Sequence, residues 1–460
     1  MSISTAAEID LSGRLNIHVI GVGGAGMSAI AAVLAGMGHH VTGSDIKPSR
    51  SLERLRASGI EIGIGHRGDN VVGADALTYS TAVSDSNVEL TEARRLGIPV
   101  LSRAAMLQSI VALRRTIAIA GTHGKTTTSS MLALVLAEAG LHPSFIIGGE
   151  LNEIGTNASW DVGELLVVEA DESDGTFLHM APELGIVTSV EPDHLEHYGS
   201  FDELKSAFRV FLGQVASAIV CADDPLALSL APGSAVTYGL SPGATLHIAN
   251  LESGRSQLRF ELSRSGESLG SFELPVPGIH NARNAAGAVA AALELGVDPA
   301  HARRALARFA GVARRFEFRG EVGGVTFVDD YAHLPGEVRA ALDAGLGGGF
   351  ERVVCVFQPH RYSRIAALAP EFADSFEGAE LLVVTDIYAA GELPRPGVSG
   401  KLVLDAIARA HPDAQAVYLP NREEVVAYLR ANLRPGDLCL TLAAGDLTNL
   451  AAEFAESGER

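Results

Sequence analysis

The stretch TIAIAGTHGKTT, residues 116–127, decides the fold, because an apolar β run leads straight into a glycine-bounded turn and a helical segment. Backbone N–H groups in such a turn point at phosphate oxygens, and the helix N-terminus adds partial positive charge. Lys125 can bridge the outer phosphates, and the Thr126 hydroxyl can bind Mg²⁺. We therefore predict a nucleoside-triphosphate site formed by Gly121, Thr122, His123, Gly124, Lys125, Thr126 and Thr127. Only two residues separate the glycines, fewer than in the general phosphate loop, so a helix-starting turn with a solvated lysine is the alternative.

Two further strand-like runs end in side chains that suit a metal site. Leu165–Glu169 is followed by Asp171 and Glu172, and Gly185–Val190 leads to His194. Ligands of open α/β sheets bind at the carboxyl ends of strands, where carboxylates can hold Mg²⁺ directly or through water. Each segment alone could equally be a solvated acidic loop or a satisfied polar histidine. Because both accompany a phosphate loop, we predict one site at three strand ends.

A second glycine-rich turn lies near the N-terminus. GVGGAG, residues 21–26, follows the strand-like run Asn16–Ile20, and Asp45 follows the next strand. This spacing is the dinucleotide fingerprint and would favour NAD if it stood alone. Any pyrophosphate at a helix N-terminus, that of UDP included, needs the same close approach of the backbone. Beside the other phosphate loop, a nucleotide-linked substrate is the better interpretation, and a turn without a ligand remains a third possibility.

The chain of 460 residues is too long for a single core. Strand-like runs alternate with helical ones, as at Ala76–Ser80 and again at Val325–Asp329, Val353–Phe357, Leu381–Thr385 and Leu438–Leu442. This alternation predicts parallel, right-handed βαβ units. Residues 240–270 are polar and predict loops or a small antiparallel sheet, before an alanine-rich helix that follows His280. We predict three α/β domains, residues 1–113, 114–313 and 314–460.

The composition excludes several classes of protein. A net charge of −20 repels polyanions, so we expect neither nucleic acid nor a membrane surface as a partner. The three cysteines are far apart and form no disulfide framework, which fits a reducing compartment. Residues 1–14 lack the apolar core of a signal peptide, and no apolar run is long enough for a bilayer. We expect a cytoplasmic protein.

Taken together, the motifs resemble the Mur ligases over nearly the whole chain. Besides the two glycine turns, the resemblance rests on EADESDGTF (169–177), DHLEHYGSF (193–201), HNARNAA (280–286), Arg314–Phe316, DDYAH (329–333), QPHRYSR (358–364) and TDIYAAGE (385–392). It implies a Rossmann-like UDP-binding domain, a central phosphate-loop ATPase-like domain and a Rossmann-like C-terminal domain on the amino-acid side. It also implies an ATP- and Mg²⁺-dependent ligase of peptidoglycan precursor synthesis, acting as a monomer or homodimer.

The resemblance further implies the substrates and a role for each matching residue. UDP-N-acetylmuramate and L-alanine would be joined through an acyl phosphate. The implied catalytic residues are Lys125, Glu169, His194, His333 and Arg361, with Thr126, Glu169 and His194 binding Mg²⁺. ATP would also contact His280, Asn281, Asn284 and Arg314. The sugar nucleotide and the amino acid would contact Gly21, Gly23, Gly24, Ala25, Gly26, Met27, Asp45, Tyr331, His333, Arg361 and Arg364.

Three segments depart from the family pattern. Leu334-Pro335-Gly336 replaces the usual His-Pro-Thr after His333, so one histidine and one hydroxyl are missing. Ser189-Val190-Glu191 replaces Asn-x-Glu, and Ala443–Asp446 replaces Gly-Ala-Gly-Asp. The first change bears on the contacts of the third domain, and none of the three removes a phosphate-binding or metal-binding group. His333 remains a candidate general base.

Three other functions compete with this interpretation. A recycling ligase would add a whole peptide to the same sugar nucleotide, but EADESDGTF and Tyr331 favour the branch that adds alanine. An NAD-dependent oxidoreductase built on GVGGAG would leave Lys125 and Glu169 without a role. A nucleotide-driven switch would need neither a third domain nor the first glycine turn.

Overall fold

The computed structural model describes residues 9–80, 82–152, 154–254 and 257–456. Residues 1–8 lie outside these ranges. They belong to the segment 1–14, in which the sequence predicts no signal peptide. Within the described ranges, no helix combines the length and the hydropathy that crossing a membrane requires.

The strands and helices alternate along the chain as the sequence predicts. The strands are β1 Asn16–Ile20, β2 His40–Asp45, β3 Glu61–Ile64, β4 Ala76–Tyr79, β5 Val100–Ser102, β6 Arg115–Ala120, β7 Ser144–Leu151, β8 Thr156–Ser159, β9 Leu165–Glu169, β10 Leu184–Val187, β11 Ser217–Cys221, β12 Val236–Gly239, β13 Leu246–Ser253, β14 Leu258–Arg264, β15 Glu267–Leu274, β16 Glu317–Val322, β17 Val325–Asp330, β18 Arg352–Gln358, β19 Leu381–Val384, β20 Ala416–Tyr418 and β21 Asp437–Ala443. The α-helices are α1 Ala25–Gly36, α2 Arg50–Ala57, α3 Val88–Leu96, α4 Arg103–Val111, α5 Lys125–Glu138, α6 Leu195–Tyr198, α7 Phe201–Gln214, α8 Pro225–Leu230, α9 Ile279–Glu294, α10 Pro299–Leu306, α11 Pro335–Leu346, α12 Tyr362–Leu368, α13 Lys401–Ala410, α14 Arg422–Asn432 and α15 Leu450–Glu456.

The first sheet is a five-stranded parallel sheet in the order β3-β2-β1-β4-β5. Its central strand β1 is buried along almost its whole length, as a strand covered by helices on both faces should be. The chain leaves the carboxyl end of β1 into the glycine turn and then enters α1. The Rossmann-like order predicted for this part is confirmed.

The second sheet has ten strands in the order β15-β14-β13-β12-β11-β10-β6-β9-β7-β8. Strand β6 pairs in parallel with β10 on one side and with β9 on the other. The predicted strand 185–190 is three residues too long, because β10 ends at Val187. Beyond that point the Ser189 carbonyl accepts the Thr122 N–H at 2.9 Å, so this backbone supports the phosphate loop.

The polar stretch 240–270, for which the sequence predicts loops or a small antiparallel sheet, contains strands that belong to the large second sheet. Strands β13, β14 and β15 extend the ten-stranded sheet, with β12 and β13 paired in parallel. Two residues join β14 to β15, a connection that only antiparallel neighbours permit. The outward positions of β14 are polar, which hides the strand from a search for apolar runs.

The third sheet has the order β16-β17-β21-β18-β19-β20. Strands β17 to β21 are parallel, and β16 adds an antiparallel edge. Apolar side chains of α11, α12 and α13 pack on one face, whereas those of α14 and α15 pack on the other. The four strands predicted here are confirmed, with each end shifted by at most one residue.

The described residues divide into two compact units. One holds the residues up to 249 together with 262–270 and 283–306, and the other holds 250–261, 271–282 and the residues from 307 onward. Inside the first unit, helix α1 of the first sheet packs against the edge of the second. A Cβ on Gly36 would lie 3.0 Å from Trp160 Cβ, so glycine fits there, and the Arg114 guanidinium lies 4.6 Å from the centre of the Trp160 ring.

The close packing of β2 against the first glycine turn predicts an effect on stability. A Cβ on Gly43 would lie 2.9 Å from Val22 Cγ1 and 3.1 Å from the Val19 carbonyl oxygen, and Val22 is fully buried. Gly43→Ala should therefore lower the free energy of unfolding by about 1–3 kcal/mol. Scanning calorimetry of the variant and the wild type measures the change in the unfolding temperature of the part that contains the first sheet.

Gly63→Ala is the matched control, because Gly63 also lies in a strand of this sheet. The nearest side-chain atom would be 3.8 Å from its new Cβ. We expect Gly63→Ala to be neutral or slightly stabilising, since it restricts the unfolded chain. Equal shifts for the two variants would contradict the packing argument.

Candidate active site

The phosphate loop lies between β6 and α5 in the second sheet. Gly121 and Gly124 have φ values of +128° and +80°, in the region that favours glycine. A side chain on Gly121 would collide with the Thr188 hydroxyl, and one on Gly124 with Asn284 Oδ1. The turn is thus held tightly from two sides. It leaves the first N–H groups of α5 without intrahelical partners, which is the arrangement that binds phosphate.

Lys125 opens α5 and folds back over its own loop. Its Nζ donates to the Gly121 carbonyl at 2.6 Å and to both oxygens of Glu172 at 3.0 and 2.9 Å. Burial lowers the pKa of Lys125, but the charges of Glu172, Asp171 and Glu169 outweigh it and leave the pKa above its ordinary value. The lysine is therefore a fixed positive charge at the loop.

Two groups of oxygen and nitrogen ligands surround this lysine. In one, Thr126 donates its hydroxyl to Glu169 Oε1 at 3.1 Å, while Glu169 Oε2 accepts the Gly148 N–H at 2.7 Å. In the other, Asp171, Glu172 and His194 offer atoms within 4.8 Å of one another, close enough to share a metal ion. The structure thus places Thr126 with Glu169 as predicted, and groups His194 with the next two acids.

The ionisation of the second group reflects its burial. Burial raises the pKa of Glu172 above its ordinary value despite the nearby Lys125 charge. The pKa of Asp171 is lowered, because Lys125 and hydrogen bonds from Ser173 outweigh the effect of burial. Burial also opposes protonation of His194, but its 3.1 Å contact with Asp193 raises its pKa.

Helix α9 carries the three polar residues predicted to face the nucleotide. Asn284 Oδ1 accepts the Thr128 hydroxyl at 3.3 Å, beside the first turn of α5. Asn281 is buried, and its Nδ2 donates to the Pro277 carbonyl at 2.7 Å. His280 lies in the first turn of α9. Asn284 is therefore beside the phosphate loop, and its contact with ATP stays a prediction.

The first glycine turn is shaped by β2. The Ser44 carbonyl accepts the N–H groups of Gly21 and Val22 at 2.9 and 3.1 Å, and Asp45 Oδ2 accepts that of Gly23 at 2.8 Å. Gly24 donates to the Gly21 carbonyl at 3.2 Å. The donors that open α1 are those of Ala25, Gly26 and Met27, which have no partner within the helix. Asp45 is thus bonded to the turn itself.

A cluster of arginine, histidine and tyrosine side chains forms in the second unit. The Arg314 guanidinium lies 4.9 Å from the centre of the Tyr331 ring and donates to the carbonyls of Ala443 and Gly445 at 2.7 and 3.0 Å. The Tyr331 and His333 rings lie 5.4 Å apart. We call this group, with His360, Arg361 and Arg364, the arginine cluster.

His360 links the two halves of the arginine cluster. Its ring lies 5.3 Å from that of His333, and its Nδ1 accepts from Arg364 Nη1 at 2.9 Å. Burial, followed by the positive charges of His333, Arg364 and Arg361, lowers the pKa of His360 to about 3. Arg361, the residue just before α12, has φ +65°, a strained backbone for an arginine. The arginines therefore carry the permanent charge of the cluster, and His360 is a neutral member.

The departure at Leu334 has a structural explanation. Leu334 is only 4% exposed and belongs to the apolar core that α11 forms against the third sheet. Glu337 accepts the N–H groups of His333 and Leu334 at 3.0 and 3.3 Å and so caps α11. Position 334 faces the core, so the leucine there does not displace His333 from the arginine cluster.

Sequence reasoning left two residues, His360 and Arg103, out of the site. Asp171 and Glu172 are among the strand-end carboxylates predicted for the metal site, but the sequence does not show which carboxylates face Lys125. His360 stands likewise in QPHRYSR. Arg103, which opens α4, lies 3.1 Å from the position that a Cβ on Gly26 would take, and its charge lowers the pKa of Asp171. The sequence pattern that could have pointed to Arg103 is the helix-capping Ser102 directly before it.

These arrangements define a phosphate-loop enzyme of three α/β parts, with acidic strand ends at the triphosphate loop. The sequence matches three family descriptions in order: "Mur ligase family, catalytic domain" over residues 16–115, "Mur ligase middle domain" over 119–292, and "Mur ligase, glutamate ligase domain" over 314–445. The chain belongs to the Mur ligase family. It is an ATP-dependent ligase of peptidoglycan precursor synthesis.

Known relatives cover almost the full length of the chain. It is 46% identical to the UDP-N-acetylmuramate–L-alanine ligase of Desulforamulus reducens, over 95% of this chain and 96% of the relative. The ligase of the same name from Anaeromyxobacter dehalogenans is also 46% identical, over 98% and 99%. The solved UDP-N-acetylmuramate-alanine ligase of Thermotoga maritima aligns with a TM-score of 0.82 at 30% identity, over 97% and 99% of the two chains.

The murein peptide ligase of Psychrobacter arcticus shares the fold. Its TM-score is 0.69 at 22% identity, over 96% of this chain and 98% of that one. Family membership excludes the oxidoreductase and switch alternatives, and the relatives near 45% identity carry the name of the alanine-adding ligase.

The depressed pKa of His360 predicts a pH dependence of stability. A histidine whose pKa falls from about 6.5 to about 3 on folding binds fewer protons in the folded state between these values, so stability is lost as pH falls through this window. Between pH 7 and pH 5 this residue alone should remove about 2 kcal/mol from the free energy of unfolding. Denaturant unfolding of the wild type and His360→Asn at both pH values measures the difference. Equal losses in the two proteins would show that His360 titrates normally in the folded state.

Proposed function

We propose that this enzyme joins the carboxylate of UDP-N-acetylmuramate to the amino group of L-alanine at the expense of ATP. The observation that carries the proposal is the meeting of the phosphate loop, Lys125 and Glu169 at neighbouring strand ends. The names of the relatives at 44–46% identity supply the two substrates. The proposal also includes a cytoplasmic location, a monomeric or homodimeric state, and three domains with the bounds 1–113, 114–313 and 314–460.

The chemistry follows from the poor reactivity of a carboxylate. A carboxylate oxygen attacks the γ-phosphorus of ATP, the bond to the β,γ-bridging oxygen breaks, and ADP leaves. The resulting acyl phosphate is attacked at carbon by the free amine, an amide forms, and inorganic phosphate departs with one oxygen of the original carboxylate. Lys125 balances charge on the phosphoryl oxygens during transfer.

The nucleotide would lie along the loop Gly121–Thr127. The N–H groups that open α5 point at its phosphates, and Lys125 would exchange part of its contact with Glu172 for the γ-phosphate. Asn284 already touches Thr128 beside the loop. We assign the remaining nucleotide contacts to His280, Asn281 and Arg314.

Mg²⁺ fits the oxygen atoms present at the loop. Thr126 and Glu169 are hydrogen-bonded to each other at 3.1 Å and offer a hydroxyl and a carboxylate, which are preferred magnesium ligands. His194, beside Asp171 and Glu172, would serve a second ion with Glu169. Bound Mg²⁺ supplies positive charge to the transferring phosphoryl group.

The sugar nucleotide would lie on the first glycine turn. The pyrophosphate would accept from the N–H groups of Ala25, Gly26 and Met27, which Gly21, Gly23 and Gly24 bring close. Asp45 shapes the turn by accepting from Gly23. Arg103 lies against Gly26 and would add a positive side chain for the same pyrophosphate.

The arginine cluster suits a small amino acid carrying a carboxylate. Arg361 and Arg364 would bind that carboxylate, because guanidinium groups pair well with it. Tyr331 holds Arg314 by ring contact and bounds the space available to the side chain. His333, whose Nδ1 lies 2.9 Å from the Tyr331 carbonyl and 3.2 Å from Glu337, is the candidate base for the amine.

Isotope transfer tests the proposed reaction. The enzyme is incubated with ATP, Mg²⁺, L-alanine and UDP-N-acetylmuramate labelled with ¹⁸O in its carboxylate. One labelled oxygen should appear in inorganic phosphate for each amide bond formed, because the acyl phosphate keeps that oxygen through its cleavage. Mass spectrometry of the phosphate reads the result. Label in AMP, or unlabelled phosphate, would refute the acyl-phosphate route.

Replacing a metal ligand tests the magnesium assignment. Glu169→Gln exchanges an anionic oxygen for a neutral one, so the Mg²⁺ concentration for half-maximal activity should rise about tenfold or more. Glu164→Gln is the matched control, since Glu164 is exposed and immediately precedes the same strand, β9. Superimposable magnesium curves for Glu169→Gln and the wild type would remove Glu169 from the ligand set.

A further inference from the structure

A fully buried carboxylate lies beneath the first glycine turn. Glu89, in the first turn of α3, is 0% exposed and accepts hydrogen bonds from Ser44 Oγ at 2.6 Å, His66 Nδ1 at 3.1 Å and the Arg67 N–H at 3.2 Å. The Asn70 side-chain amide donates to it as well. His18 Nε2 lies 3.7 Å away. These groups come from β1, β2 and the segment after β3, which are neighbours in the sheet order β3-β2-β1.

The number of donors keeps this carboxylate charged. Burial raises the pKa of Glu89, but the nearby His18 and the hydrogen bonds from Ser44 and Asn70 overcome it and lower the pKa to about 2. A buried charge in such a place is costly, and an apolar residue would serve a purely structural role at least as well. The reason for a charged residue at this position should therefore lie in the residues that donate hydrogen bonds to Glu89.

One of these groups leads directly to the glycine turn. Ser44 donates its hydroxyl to Glu89, and its carbonyl accepts the N–H groups of both Gly21 and Val22. The next residue, Asp45, accepts the N–H of Gly23 at 2.8 Å. Fixing Ser44 therefore fixes the acceptors for three successive amides of the turn. The amides of 25–27 are left as the open donors at the start of α1.

We propose that Glu89 is a positioning residue for the sugar-nucleotide site, acting through Ser44 on the glycine turn. The inference rests on the proposed binding of UDP-N-acetylmuramate at that turn. Glu89 itself does not touch the ligand. Its charged hydrogen bond sets the end of β2, and the end of β2 sets the direction of the amides that receive the pyrophosphate.

Kinetics of Glu89→Gln test the proposal, because the substitution keeps the shape and removes the charge. The KM for UDP-N-acetylmuramate should rise about tenfold, equivalent to about 1.4 kcal/mol of binding. The KM for ATP and kcat at saturation should stay within about twofold, since the phosphate loop lies on another sheet. Binding of UDP-N-acetylmuramate alone, measured by calorimetry, should weaken by the same factor.

A double-mutant cycle tests the path through Ser44. Ser44→Ala removes the hydroxyl donor and keeps the carbonyl, so it should raise the same KM. The two substitutions together should raise the KM no further than Glu89→Gln alone, because they break one connection. Additive effects would show that Glu89 acts on the site by another route.

Thr42→Val is the matched control for a merely structural effect. Thr42 Oγ1 lies 2.7 Å from His18 Nδ1 in the same buried network, but is not on the path to the turn. It should lower the unfolding temperature and leave all KM values unchanged. A selective KM increase in Thr42→Val, or an unchanged KM in folded Glu89→Gln, would overturn the inference. If the wild type itself fails to bind UDP-N-acetylmuramate, the proposed function fails instead.

Discussion

The parallel pairing of β6 with β9 and β10 is the constraint on which the active site depends. Because parallel strands end at the same edge, this pairing brings the phosphate loop, Glu169 and the segment leading to His194 together from distant parts of the sequence. The shortened β10 contributes further, since Ser189 and Thr188 leave the strand to support the loop. A slip in this pairing would separate Lys125 from the acids that fix its charge.

Charge is distributed differently at the two glycine turns. At the phosphate loop, three acids surround one lysine, and the nucleotide and metal that we propose would enter this balance of charge. At the first turn, a buried Glu89 lies behind the backbone and orders it through neutral donors. In the function that we propose, an enzyme with a net charge of −20 would meet phosphorylated ligands with local donors: backbone amides, Lys125 and Arg103.

In the second unit, position and burial decide which polar residues carry charge. His360 is kept neutral by its buried place among arginines, and Arg364 uses its Nδ1 as an acceptor. Burial also decides the role of Leu334. This residue follows His333 in the sequence, and its side chain is part of the apolar core under α11. A departure from the family pattern at that position therefore changes packing and leaves the arginine cluster in place.

The sequence by itself determined the α/β class, both glycine turns, several strands of the parallel sheets and the residues of the phosphate loop. These features are local, because hydrophobic period, glycine spacing and the order of strand, turn and helix can be found in short windows. Only the tertiary structure decided that 240–270 extends the central sheet, that Glu172 pairs with Lys125, and that His194 lies with Asp171 and Glu172. It alone placed Glu89 beneath the glycine turn and Leu334 in the core. The physical reason is that hydrogen bonds, ion pairs and burial between distant segments depend on strand order and packing, which no short window of sequence contains.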